Sequence, residues 1–176
     1  MANNPVIDAR LSKRFDKWDF DRNGVLERED FVQEAARIAR SFGKSADSPE
    51  AEALRDAFVG LFDYLSAQAG GSPTLTRDAY QQVASDLVYV QGEAAFNRAL
   101  GPVVSGLVGL ADQNADRLIS GEEFASWLTA LGLDTASAKE SFQKVDTDGD
   151  GQLSEEELLT AIRQYHFGQL DVELLG

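Results

Sequence analysis

The chain has no cysteine in 176 residues. That excludes disulfide bonds, thiolate metal sites and a cysteine nucleophile. Histidine occurs once, as His166; near a helix end it reads as a surface or capping residue rather than a catalyst. No G-x-S-x-G and no phosphate-binding glycine loop is present, so nothing here reads as an enzyme. Methionine occurs once, at Met1, which leaves nothing to build the pliable methionine-rich groove that remoulds itself around target helices. Positive charge is scarce: 16 Lys and Arg stand against 30 Asp and Glu, a net charge of -14. A nucleic-acid backbone or an anionic membrane surface would repel such a chain.

Long apolar runs are missing too. The most apolar stretch, Leu100 to Leu110, is far short of the ~20 residues a membrane helix needs. Gly101-Pro102 interrupts it, so it reads as a kinked core helix. Met1 to Arg10 lacks the basic start and apolar run of a secretory signal. The expectation is a soluble, cytoplasmic monomer. Hydrophobic residues at 43% fit a globular chain with a substantial core.

What the chain does have is acid in regular places. Asp146-Thr147-Asp148-Gly149-Asp150-Gly151-Gln152-Leu153-Ser154-Glu155-Glu156-Glu157 matches D-x-[DN]-x-[DN]-G-x5-E in full. Calcium is a hard cation that takes six to eight oxygens in a loose shell. Alternating Asp146, Asp148 and Asp150 can converge three carboxylates on one point. Gly151 supplies the positive φ of the sharp turn. The carbonyl of Gln152 adds a ligand, Ser154 or its water completes the shell, and Glu157 reaches back from the next helix. An acidic solvated turn is the alternative, but five constrained positions rarely agree by chance.

Aligning on the apolar residue at loop position eight reveals four repeats, at Leu26, Leu75, Ile119 and Leu153. Four residues before each loop stand Phe15, Tyr64, Val108 and Phe142; just after each stand Phe31, Tyr80, Phe124 and Leu158. Ala35, Ala84, Leu128 and Ile162 follow four residues later. Apolar spacing of three and four marks amphipathic helices on both sides of each loop. The chain is therefore all-α: four helix-loop-helix units, about eight helices.

The other three loops differ. Loop one has Asp19, Asp21, Asn23, the Val25 carbonyl and, at position twelve, Asp30. Aspartate is one methylene shorter than glutamate, and a single-oxygen contact suits magnesium better. Loop two, Gln68 to Ala79, has no carboxylate at any side-chain ligand position and is expected to bind no metal, with Leu75 pairing to Leu26. Loop three has Asp112, Asn114, Asp116, the Leu118 carbonyl and Glu123, but Arg117 replaces the turn glycine. A non-glycine residue at positive φ costs about 1 kcal/mol, so a decayed loop stays open here. The segment from Gly168 to Gly176 (GQLDVELLG) has four apolar residues and either docks or hangs free. Before the second unit, Ser48 and Pro49 mark a capped helix start.

These motifs resemble the EF-hand superfamily, and the layout is similar to the calerythrin and sarcoplasmic calcium-binding protein group. The likeness covers nearly the whole chain, including the degenerate second loop, the Asp closing the first, and the C-terminal FGQLDVELLG. The resemblance implies a compact body of two packed pairs, residues 1-91 and 92-176, with calcium in loops one, three and four. It points to Asp19, Asp21, Asn23 and Asp30; Asp112, Asn114, Asp116 and Glu123; and Asp146, Asp148, Asp150 and Glu157.

Two functional readings remain. A calcium buffer or transporter follows from the absent methionine groove and the stiff, aromatic-rich apolar residues. A calcium sensor with an unknown protein target follows if Trp18 and Trp127 line a face that metal reshapes.

Overall fold

The structure is a computed structural model and describes residues 4–175. Its helices are α1 (Pro5–Trp18), α2 (Arg28–Ser41), α3 (Pro49–Gln68), α4 (Arg77–Asp86), α5 (Gly92–Ala111), α6 (Gly121–Ala130), α7 (Ala138–Val145) and α8 (Glu155–His166). Strands β1 (Val25–Glu27) and β2 (Thr74–Thr76) lie in the first two loops. Helix starts follow side-chain chemistry. Asn4 and Ser48 accept from the amides of Val6 and Ala51, each with a proline at the first turn. Thr76, Ser120 and Ser154 do the same for Ala79, Glu123 and Glu157. Each such cap is worth about 1 kcal/mol.

The units pair through their loops. β1 and β2 run antiparallel with Leu26 opposite Leu75. Ile119 and Leu153 exchange both backbone hydrogen bonds, at 2.8 and 2.9 Å. All four of these side chains are fully buried, because each points away from the polar loop into the helices below. In the first pair the core is aromatic: Trp18 meets Phe31 at 5.2 Å between ring centres, and Phe31 meets Phe62 at 5.3 Å.

One apolar core continues through both pairs. Helices α3 and α5 come close at Gly106, where an added Cβ would lie 3.0 Å from the Leu54 Cα. The apolar stretch expected to be a core helix too short to cross a membrane belongs to a longer helical run. A π-helical turn, Leu87–Gln91, joins α4 to α5, and by length and composition Arg77–Ala111 could cross a membrane. However, 61% of its apolar window is buried inside the protein, with Val103, Val104 and Leu107 wholly enclosed. It serves as the central core helix, with Pro102 inside α5.

Two further expectations are corrected or resolved. His166 is not at the surface: it is 6% exposed, with Nδ1 2.8 Å from the Ile162 carbonyl and its ring against Phe96. The prior from sequence position missed that α5 covers this end of α8. The C-terminal segment docks, with Val172, Leu174 and Leu175 buried. Both tryptophans are buried as well, Trp127 completely.

Candidate metal centres

Loops one, three and four share one hydrogen-bond scheme, set by the spacing of their oxygens. The position-one carboxylate receives the amide of position six: Gly24 to Asp19 at 3.0 Å, Arg117 to Asp112 at 2.8 Å, Gly151 to Asp146 at 3.0 Å. Position three receives the amide of position five in Asp21, Asn114 and Asp148. Position five, Asn23, Asp116 or Asp150, receives the amide of Val25, Leu118 or Gln152. The last of these bonds orients the peptide plane that enters position seven. Position twelve closes the ring. Asp30 takes the amides of Phe20 and Glu27, Glu123 those of Gln113 and Ser120, and Glu157 those of Thr147 and Ser154.

The turn requires left-handed backbone at positions four and six. Position four is Arg22 (φ 59°), Ala115 (φ 60°) and Gly149 (φ 69°); position six is Gly24 (φ 88°), Arg117 (φ 60°) and Gly151 (φ 84°). Arg117 therefore adopts the glycine geometry and leaves the loop shape intact. Its guanidinium reaches Glu155 of the fourth loop at 3.0 Å, a contact that loop spacing alone did not foretell.

The carboxylates gather unequally. Oxygens of Asp19, Asp21 and Asp30, and of Asp146, Asp148 and Glu157, lie within 4.8 Å of one another. Among the described residues loop three forms no such trio of acids. There both Asp116 oxygens are engaged, by the Leu118 amide and the Asn114 side-chain amide. Loop two is closed differently, by Gly71 N–H to the Ser66 carbonyl at 2.8 Å and the Ser66 hydroxyl to Ser72.

The electrostatics fit a cation. Burial pushes the Asp30 carboxyl up, with Asp21 adding to it against the pull of the Glu27 and Phe20 amides. The Asp150 amide pulls Asp148 down, but burial and the neighbouring Asp146, Asp150 and Glu157 together raise it above the usual range. Burial would raise Glu157; the Ser154 and Asp148 amides and the Ser154 and Thr147 hydroxyls outweigh it and hold it below the usual range. Asp146 Oδ1 is buried without a hydrogen-bond partner. An orphaned anionic oxygen beside a crowded trio of acids is the donor set of a hard divalent ion.

Four helix-loop-helix units with these loops define an EF-hand calcium-binding protein. The sequence model of the EF hand domain matches residues 137–165. Calerythrin of Saccharopolyspora erythraea is 58% identical over 173 residues, covering 97% of this chain and 98% of that protein. A sarcoplasmic calcium-binding protein of Hediste diversicolor is 33% identical over 133 residues, 75% of this chain and 73% of that one. The solved calcium-binding protein of Streptomyces coelicolor, described for its part in prokaryotic calcium-mediated regulation, superposes with a TM-score of 0.74 at 28% identity, covering 92% and 98% of the two chains. The chain belongs to the calerythrin and sarcoplasmic calcium-binding protein group of the EF-hand superfamily, and it binds calcium.

Proposed function

We propose that the protein is an intracellular calcium buffer or transporter that takes up to three ions and stays closed over them. It acts as a cytoplasmic monomer without a catalytic role, built from the pairs 1–91 and 92–176. Loop one binds through Asp19, Asp21, Asn23, the Val25 carbonyl and Asp30. Loop three uses Asp112, Asn114, Asp116, the Leu118 carbonyl and Glu123. Loop four uses Asp146, Asp148, Asp150, the Gln152 carbonyl and Glu157. Magnesium competes in loop one, where Asp30 is the short closing acid.

The observation that carries the closed reading is the packed interior. Trp18 and Trp127 are buried, and only three large apolar residues are exposed among those described, Val6, Phe20 and Val90. A bound divalent ion supplies the positive charge that the crowded loop oxygens lack. Three such ions would offset six of the fourteen net negative charges. Without them the clustered acids repel one another and loosen the fold, so binding couples to compaction and to stability. Titrating calcium from a chelated start, with apolar-dye fluorescence beside circular dichroism, tests this. Dye binding is expected to fall as helicity rises. A rise on an already folded protein would overturn the closed reading in favour of a calcium sensor.

A further inference from the structure

Gly168, at φ +73°, turns the chain out of α8 and back against α1, where an added Cβ would meet the Ile7 side chain at 3.3 Å. The segment that follows is neither helix nor strand. Beyond Leu170, no backbone-to-backbone hydrogen bond holds it among the described residues. Side chains hold it instead, and they come from both halves of the molecule.

From α6, Trp127 Nε1 donates to the Leu174 carbonyl at 2.8 Å. From α1, Arg10 donates to the carbonyls of Tyr165 and Leu170 and lies over the Tyr165 ring, 4.0 Å from its centre. Arg10 also pairs with Asp171 at 3.1 Å, Lys13 with Glu173 at 2.6 Å, and Arg14 with Glu173 at 3.6 Å. Helix α1 holds four of the chain's sixteen basic residues, Arg10, Lys13, Arg14 and Lys17. Three of them face this one segment, in a protein of net charge -14. The seat is thus a basic row beside an apolar trough, with an indole N–H aimed at a main-chain carbonyl.

What it reads has a period of two from Asp171 to Leu174, with Leu175 buried as well. Asp171 and Glu173 meet the basic row, while Val172 and Leu174 enter the trough. Alternation of this kind belongs to extended chain, not to a helical face. We propose that the seat is a recognition groove for an extended protein segment in which acidic and apolar side chains alternate. The chain's own C-terminal segment is its resident occupant, and a partner with the same pattern displaces it in trans. The proposal goes beyond metal buffering and does not depend on it. A segment without ladder bonds opens more readily than the core around it. Its tether gives it an effective concentration on the order of mM, so a partner's apparent affinity stays low until the resident is loosened.

The test uses the full-length protein with 15N-labelled tryptophan, the Trp127 indole resonance marking a seated segment. The probe is a fluorescein-labelled peptide of residues 169–176. Glu173→Lys sets like charge against Lys13 and Arg14 and leaves the metal loops untouched. The indole resonance is expected to move, and peptide anisotropy to show binding at least about ten-fold tighter than to the wild type, as expected when a tethered competitor is removed. The same peptide bearing L174D is expected not to bind. A moved resonance without peptide binding would overturn the proposal, since the resident leaves and nothing takes its place. If the resonance does not move, Val172→Asp replaces Glu173→Lys with the same two outcomes, and no binding there overturns the proposal as well. Dimers of Glu173→Lys in sedimentation would name a second copy as the occupant and overturn the reading of a separate partner.

Discussion

Gly106 of α5 and Leu54 of α3 meet with no room for a side chain between them: a methyl group built on Gly106 would lie 3.0 Å from the Leu54 Cα and 3.1 Å from its Cδ1. The nearer of these atoms is backbone and cannot swing aside. Glycine is required here for space, not for its φ.

Gly106→Ala is therefore expected to destabilise the protein by roughly 1–3 kcal/mol, the usual cost of overpacking a tight core. Urea unfolding in chelator checks this. The midpoint should fall while the slope with denaturant stays unchanged. An unchanged midpoint would mean that α3 and α5 can move apart freely.

Glu157→Gln removes the charge that closes loop four. Its carboxylate takes the Thr147 and Ser154 amides and stands in the trio with Asp146 and Asp148. Titration calorimetry is expected to lose the ion of that loop and keep the ion of loop one. The Ile119–Leu153 bonds tie loop three to loop four, so loop three should weaken in step. Full occupancy of loop four in the variant would contradict the assignment.

Arg117→Gly should strengthen loop three for two separable reasons. It relieves a left-handed non-glycine residue worth about 1 kcal/mol, and it removes a positive charge beside a cation site. Arg117→Ala removes the charge but keeps the backbone strain. Comparing their calcium affinities with their unfolding midpoints in chelator divides the two effects. Only the glycine variant is expected to raise the midpoint. The Glu155 pair is largely exposed, so its loss should change stability by less than about 1 kcal/mol.

His166 predicts acid sensitivity. Burial lowers its pKa to about 3, with Arg14 and Arg10 adding to the effect against the hydrogen bond to Ile162. The unfolded chain takes up a proton below about pH 6.5, where the folded chain does not. Stability is therefore complete above that pH and is lost as pH falls from 6.5 towards 3, by at most about 1.4 kcal/mol per unit. Unfolding curves of wild type and His166→Gln in that window should converge as the acid deepens. A constant difference would show that His166 takes its proton within the fold.

The loops and their flanking helices were legible because both are local. Oxygens at alternate positions and apolar residues three and four apart are written in the order of the chain, and Leu26, Leu75, Ile119 and Leu153 stand buried where alignment placed them. What was not legible depends on which element covers which. His166 ends α8 as its position indicates, but α5 lies across it and buries it. Arg14 stands in the stripe of Ile7, Leu11, Phe15 and Trp18 and is as buried as they are; a charge at a core-facing position was the available signal. Glu173, its partner, lies in a stretch whose alternation suits extended chain but does not say which helices it docks on. Arg117 read as damage to a turn, whereas its backbone takes the required geometry and its side chain reaches the next loop.

Loop two shows what remains of such a unit once its oxygens are gone. Leu75 still closes the ladder with Leu26, and Thr76 still caps α4. Gly70 and Gly71 at the tip lie in left-handed backbone with open space around them. Among the described residues the tip is held only by its own backbone bonds to the end of α3, whereas the strand is held by loop one. For an engineer, the Gly70–Gly71 junction is a port: a reporter inserted there would ride on the strand that braces loop one without adding an atom to any ion's shell.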